Sequence, residues 1–210
     1  SVWTARGRLE PDSQYTAQIV SRRSDGSSQQ DVRRFRTVAL TLAQQTYPSI
    51  APLAGETVGV GMPVIVTFDV PVINKTEFER HMKVTAQPQQ EGSWYWLNDQ
   101  EAHWRPATYW QAGSSVSVDV DVNSLPAGNG VFGQESRHID FTIGDAVVSK
   151  VDAQTDRMRT YVNGKLVRTT PITTGKPGFT TRSGIKVIIE KFRRKRMDSE
   201  PVGISSDDPA

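Results

Sequence analysis

Cysteine is absent from the 210 residues. Disulfides, zinc–thiolate centres and thiolate nucleophiles are therefore excluded within them. Histidine is scarce: His81, His103 and His138 stand alone in sequence, and no local histidine-rich metal motif exists. No apolar run approaches the ~18–20 residues that a membrane-spanning helix needs. The opening residues SVWTARGRLE also lack the apolar stretch of a secretory leader. For an exported parent protein, the targeting segment is expected to have been removed or to lie upstream. Apolar residues make up 36% of the chain and the mean hydropathy is −0.48. Such a balance favours several small, half-solvated sheets over one large core, and the length fits one or two domains.

The net charge of +2 hides an asymmetry. Residues 1–40 carry 7 basic and 4 acidic side chains, residues 41–147 carry 5 and 12, and residues 148–210 carry 13 and 7. Charge is thus segregated as +3, −7 and +6. Segregation on this scale speaks for separate units near those boundaries.

Hydrophobic periodicity is strand-like nearly throughout. Val116, Val118, Val120 and Val122 alternate with polar residues, as do Ile139, Phe141 and Ile143, and Val64, Val66 and Phe68 after Pro63. A period of two places each set on one face of a strand, whereas helical spacing would scatter it. Short strands broken by Gly, Pro and Asn turns predict a β-sandwich over 41–147. One helical turn is expected at 75–81, with Asn74 as its cap and Glu77 at the third position. Residues 14–20 and 31–37 form two β-rich runs around the polar loop SRRSDGSSQQ, and a hairpin of this size is not stable alone. They read as the remnant of a similar module. Residues 40–52, with Pro48 and Pro52, read as a stiff linker.

From residue 147 the character changes. Runs 157–162 and 165–170 flank Asn163-Gly164, the strongest short hairpin signal, because both turn residues tolerate positive φ. The turn-rich TTGKPGFTTRSG and the apolar run 185–189 follow, and beyond Glu190 periodicity is lost.

Two stretches carry a family resemblance. GSWYWLNDQEAHWRPATYWQAGSSVSVDVDV (92–122), with Trp94, Trp96, Trp104, Arg105, Pro106 and Trp110, resembles the Ig-like module that precedes the catalytic domain in actinobacterial, particularly mycobacterial, L,D-transpeptidases. GNGVFGQESRHIDFTIGD (128–145) fits the last strands of that module. YVNGKLVRTTPITTGKPGFTTRSGIKVI (161–188) is similar to the opening hairpins of the YkuD-type catalytic domain. Met197-Asp198-Ser199 matches the start of the family's lid-like loop. The resemblance therefore implies an all-β chain: 1–40 as the end of a first Ig-like module, 41–147 as a second, and 148–210 as the N-terminal portion of the catalytic domain.

It also implies a function. Such enzymes join peptidoglycan stem peptides through 3→3 links: a cysteine takes an acyl group from a tetrapeptide donor, a histidine takes its proton, and backbone N–H groups hold the oxyanion. The expected partners are stem peptides and, as acylating inhibitors, carbapenem-type β-lactams, in an extracytoplasmic, membrane-anchored parent. Neither cofactor, metal nor nucleic acid is implied. The SHGC-like run is missing from these residues, so the catalytic Cys and His are expected C-terminal of Ala210, in roughly a hundred further residues. Met197, Asp198 and Ser199 are the expected substrate-binding residues. There are departures: no proline stands in Phe179-Thr180-Thr181, Val202 replaces an expected aromatic, and Pro126 and Asn129 replace the acidic pair by which some relatives hold a cation.

Competing readings remain open. Trp94, Tyr95, Trp96, Trp104, Tyr109 and Trp110 suit a glycan-stacking platform, but core packing is the expected role, since aromatics dominate buried area. His103 is expected on a strand surface. The basic run 191–196 suits a solvated loop or attraction to an anionic polymer or lipid surface. TTGKPG lacks the spacing of a phosphate loop. A non-catalytic, wall-polymer-binding protein built on Ig-like modules is the alternative, and a nucleic-acid or adhesin role on the same sandwiches is the third.

Overall fold

The structure is a computed structural model that describes residues 7–175, 178–188 and 191–194. The chain divides into two compact units, residues 1–174 and 175–210. The first begins with a hairpin of β1 (Gln14–Arg22) and β2 (Ser28–Arg36), paired antiparallel from Gln14↔Arg36 to Arg22↔Ser28. The strands run further into the polar loop than sequence suggests, because Asp25 accepts the N–H and hydroxyl of Ser27 (2.8 and 2.6 Å) and Gly26 takes φ +83°. A five-residue turn suffices once those groups are satisfied locally. Tyr15 and Phe35, directly opposite, stack at 5.6 Å. No residue of either strand is fully buried.

Next come β3 (Gln45–Thr46), β4 (Pro48–Ala51), β5 (Thr57–Val58), β6 (Val64–Phe68), the helix α1 (Lys75–Arg80), β7 (Met82–Gln87), β8 (Gly92–Trp96), β9 (Glu101–Pro106), β10 (Ser115–Val120), β11 (Pro126–Gly128), β12 (Val131–Gly133) and β13 (Arg137–Ile143). They form a sandwich of two four-stranded sheets, ordered β5-β13-β10-β7 and β4-β6-β9-β8, with a three-stranded sheet β11-β12-β3 at one end. The stiff-linker reading of 40–52 is corrected here. Residues 45–51 supply β3 to the three-stranded sheet and β4 to the sandwich, and Pro48 opens β4, a position where its missing N–H is tolerated.

The alternating residues meet between the sheets. Val64, Val66 and Phe68 on one side and Val116, Val118, Val120, Val122, Phe141 and Ile143 on the other are all buried. Each such side chain contributes about 1.5–3 kcal/mol by leaving water. Phe78 of α1 drops into the same core, edge-on to Phe68 at 5.3 Å. The Asn74 carbonyl accepts the N–H of Glu77 and Phe78 (both 3.1 Å), but its side chain does not cap the helix: Nδ2 donates to Pro126 O (3.0 Å), while Ala127 O accepts the N–H of Ile73 and of Asn74 (2.8 and 2.9 Å). The helix start is thus tied to β11, and Asn74 serves as a strut to that strand.

The chain leaves the sandwich into an antiparallel sheet of β14 (Val147–Asp152), β15 (Arg157–Val162) and β16 (Lys165–Pro171). Asn163 (φ +48°) and Gly164 (φ +81°) make the expected tight turn between β15 and β16. A bulge at Val167 shifts the register between Thr160 and Tyr161.

Candidate functional site

The sheet β14–β16 is where the resemblance places the entrance of a catalytic domain. Register puts Val147 opposite Val162, Ser149 opposite Thr160 and Val151 opposite Met158, so one face carries two apolar pairs on either side of a polar pair whose hydroxyls lie 3.0 Å apart. None of the three strands contains a fully buried residue, and Val147 and Val151 are more than half exposed. Val148, pointing the other way, packs with Ala146 against the sandwich core. The turn residue Asn163 fixes this junction. Its N–H donates to Ala146 O (3.0 Å), its Oδ1 accepts the Ala146 N–H (2.9 Å), and its Nδ2 donates to Asp145 Oδ1 (2.8 Å). Asparagine thus serves both the positive φ and two side-chain bonds to Asp145 and Ala146, a role that the turn signal alone does not reveal.

In the second unit, the Gly175 N–H donates to Thr181 Oγ1 (2.9 Å), and a β-carbon on Gly175 would lie 1.8 Å from Phe179 O. Only glycine permits that approach. Residues 185–188 form no hydrogen-bonded strand, and Ile185 and Ile188 are exposed. Met197, Asp198 and Ser199, the expected substrate-binding residues, lie outside the described residues, as do Lys195, Arg196 and Val202.

The aromatic group divides. Trp104 and Trp110 are buried and stacked at 5.2 Å, and Trp110 Nε1 donates to Met62 O (2.6 Å). Trp94 and Trp96 lean on the core, donating to Met82 O (3.1 Å) and Glu79 Oε1 (2.8 Å). Tyr95 falls between them on the opposite face of β8 and is 68% exposed. The alternation of the strand therefore breaks up any continuous stacking platform.

The histidines are dispersed as well. His81 Nδ1 lies 2.9 Å from Glu77 O, and His103 is half-buried with Nε2 2.5 Å from Glu101 Oε1. His138 sits on the outer face of the β10–β13 pair, Nδ1 2.6 Å from Asp119 Oδ1 and Nε2 3.2 Å from Asp140 Oδ2. Both ring nitrogens face carboxylate oxygens, an arrangement that suits the doubly protonated ring. The hydrogen bond to Asp119, then that to Asp140, raises the His138 pKa above its ordinary value. Asp140 is held below the usual carboxylate range by the Ser117 hydroxyl and then by His138. Here the carboxylate stands between hydroxyl and imidazole, which is the wrong order for a nucleophile relay through histidine. Among the described residues, no group of three His, Cys, Asp or Glu is arranged to hold a metal. Sequence reading missed this cluster, since only the strand register brings Asp119 beside His138.

A sandwich of this topology feeding a bulged antiparallel sheet defines an Ig-like module joined to the start of a second, β-rich domain. Residues 1–126 match the family described as "Bacterial Ig domain", and residues 146–210 match YkuD, the "L,D-transpeptidase catalytic domain". L,D-transpeptidase 2 of Mycobacterium tuberculosis is 32% identical over 207 residues, covering 99% of this chain and 50% of its own length. Probable L,D-transpeptidase 3 of the same organism is 32% identical over 189 residues, covering 82% and 68%. The solved structure of the LD transpeptidase LdtMt1 in complex with imipenem superposes with a TM-score of 0.65 at 29% identity, covering 76% of this chain and 68% of that one. The chain belongs to the L,D-transpeptidase family. It spans about half the length of the first of these curated relatives.

Proposed function

We propose that this chain is the spacer and catalytic-domain entrance of an exported L,D-transpeptidase that forms 3→3 peptidoglycan cross-links. In this reading a cysteine C-terminal of Ala210 attacks the donor amide of a tetrapeptide stem, with a histidine from the same region as base, and the acyl group passes to an acceptor side-chain amine. Met197, Asp198 and Ser199 line the donor cleft, and carbapenem-type β-lactams acylate the same cysteine. The units fall at 1–40, 41–147 and 148–210, and the sandwiches hold the catalytic domain away from a membrane to which the parent is anchored. The match of residues 146–210 to the catalytic family carries this reading. The sheet β14–β16 is consistent with it, since its three strands bury no residue and so hold no core of their own.

The test compares the 210-residue chain with the protein extended past Ala210. The extended protein is expected to gain the mass of one opened carbapenem, to lose that adduct when its cysteine becomes alanine, and to turn over a tetrapeptide donor. The 210-residue chain is expected to do none of these. Turnover by the 210-residue chain, or an extension with neither Cys nor His, would sink the enzymatic reading; polymer pull-down by such a protein would favour a wall-binding module.

A further inference from the structure

The hairpin β1–β2 is joined covalently to the sandwich only through residues 38–41, and the core cluster contains no residue before Ile50. Polar contacts cross the gap. Arg8 Nη1 donates to Asp121 O (2.9 Å) and Nη2 pairs with the Asp121 carboxylate. The Glu10 carboxylate accepts from Asn123 Nδ2 (2.6 Å) and from Ser124 Oγ (3.4 Å).

Both sides are braced. On the hairpin side, the Glu10 N–H donates to Tyr15 Oη (2.7 Å) and its carbonyl accepts from Thr37 Oγ1 (2.5 Å), so the 8–10 segment moves with the hairpin. On the sandwich side, the Asp121 N–H is held by His81 O (2.9 Å). Its Oδ1 accepts from Ser136 Oγ (2.8 Å), and Ser136 Oγ also accepts the Asn123 N–H (3.2 Å). The positive φ of Ser124 (+58°) turns the chain at this corner.

We propose that the Asp121–Asn123–Ser124 corner is a receptor for the extended Arg8-Leu9-Glu10 segment, and that this contact, more than the 38–41 linker, sets the angle of the N-terminal arm. The partners are complementary in order: a cation meets an anion and a carbonyl at one end, and an anion meets two donors at the other. Because the pair is solvent-exposed, the latch opens with salt, and the arm then swings about 38–41.

Absence of native cysteine makes the test clean. Nitroxide labels at Ser24→Cys and Thr85→Cys, both exposed, report the distance between arm tip and sandwich by pulsed spin resonance. The expected result is one narrow distance distribution at low salt, with its width roughly doubled at ~1 M salt as the charges are screened. Asp121→Arg is expected to broaden it at low salt, and Arg8→Asp added to Asp121→Arg is expected to narrow it again. An unchanged urea midpoint for β-structure shows that the sandwich is intact in each variant. A distribution already broad at low salt, or one that Asp121→Arg leaves narrow, overturns the proposal. Failure of the double exchange to restore the narrow peak overturns the charge-pairing element. None of these results depends on catalytic activity.

Discussion

Replacing Trp110 by alanine removes the ring that joins the two sheets at one end of the sandwich. Trp110 is 3% exposed, stacks on Trp104 at 5.2 Å and meets Phe141 edge-on at 6.4 Å. Truncating a buried Trp costs about 3–5 kcal/mol in burial and cavity. Loss of the Nε1 bond orphans Met62 O, which adds on the order of 1–3 kcal/mol unless water enters the space left behind. A total of roughly 4–8 kcal/mol follows, against a stability of about 5–15 kcal/mol for a domain of this size. Urea denaturation followed by tryptophan fluorescence is the assay. With a slope of about 1–3 kcal/mol per molar, the midpoint falls by roughly 1.3 M or more, or the module is unfolded at the outset. Tyr95→Ala is the control: as an exposed ring on the outer face of β8, it should change stability by no more than about 0.5 kcal/mol. A Trp110→Ala midpoint within about 0.5 M of the parent would refute the assignment of this ring to the core. So would equal effects from the two substitutions.

Two further outcomes are expected. A β-carbon at Gly133 would sit 2.1 Å from Val122 O, while the Gly133 N–H already donates to Leu125 O and its carbonyl accepts from Ser124. Gly133→Ala is therefore expected to destabilise by on the order of 1–3 kcal/mol or more. Gly59→Ala, with nothing within 4 Å, should stay near the parent; thermal melts of both, side by side, decide the matter. For pH, the His138 pKa is raised on folding, so its contribution is complete below the unfolded value near 6.5 and is lost as pH rises through the higher folded value. Asp140, lowered on folding, acts oppositely: its contribution is complete above its unfolded value near 3.8 and is lost as pH falls through the folded value. The melting temperature of the parent relative to His138→Ala should be highest between these windows and converge toward alkaline pH. A ring titrating below pH 6.5 by NMR would contradict the bridged geometry.

The sandwich was largely legible because its strands obey a strict two-residue period. Val116 to Val122 needed only alternation to be assigned inward, and Asn163-Gly164 needed only its φ preference to be assigned a turn. Strands β3 and β4 were hidden for the opposite reason. They are two and four residues long, contain Pro48, and acquire strand character from distant partners, Phe132 and Gly133 for β3 and residues 65–68 for β4. Asn74 misled because a local cap and a tertiary strut use the same side chain. The His138 bridge and the Arg8–Asp121 pair required register or contacts across 113 residues, which no local pattern encodes. Met197, Asp198 and Ser199, the expected substrate-binding residues, came only through family likeness and lie outside the described residues, and no local constellation of chemistry-bearing residues pointed to them.

The pairing of β5 with β13 is parallel, unlike most of the sandwich. Gly55 N–H to Asp140 O, Thr142 N–H to Glu56 O, Gly144 N–H to Val58 O and the Thr57–Thr142 hydroxyl contact all lie along this short seam. β5 lies near the entry of the module and β13 leads to its exit. Once β3 and β4, which precede β5, have yielded, a pull between the flanking segments loads these bonds lengthwise, and they must yield together, not one after another. Antiparallel neighbours tugged at a shared end would peel singly under far less tension. A module strung between an arm and a following domain is by this seam made to carry load along its own axis.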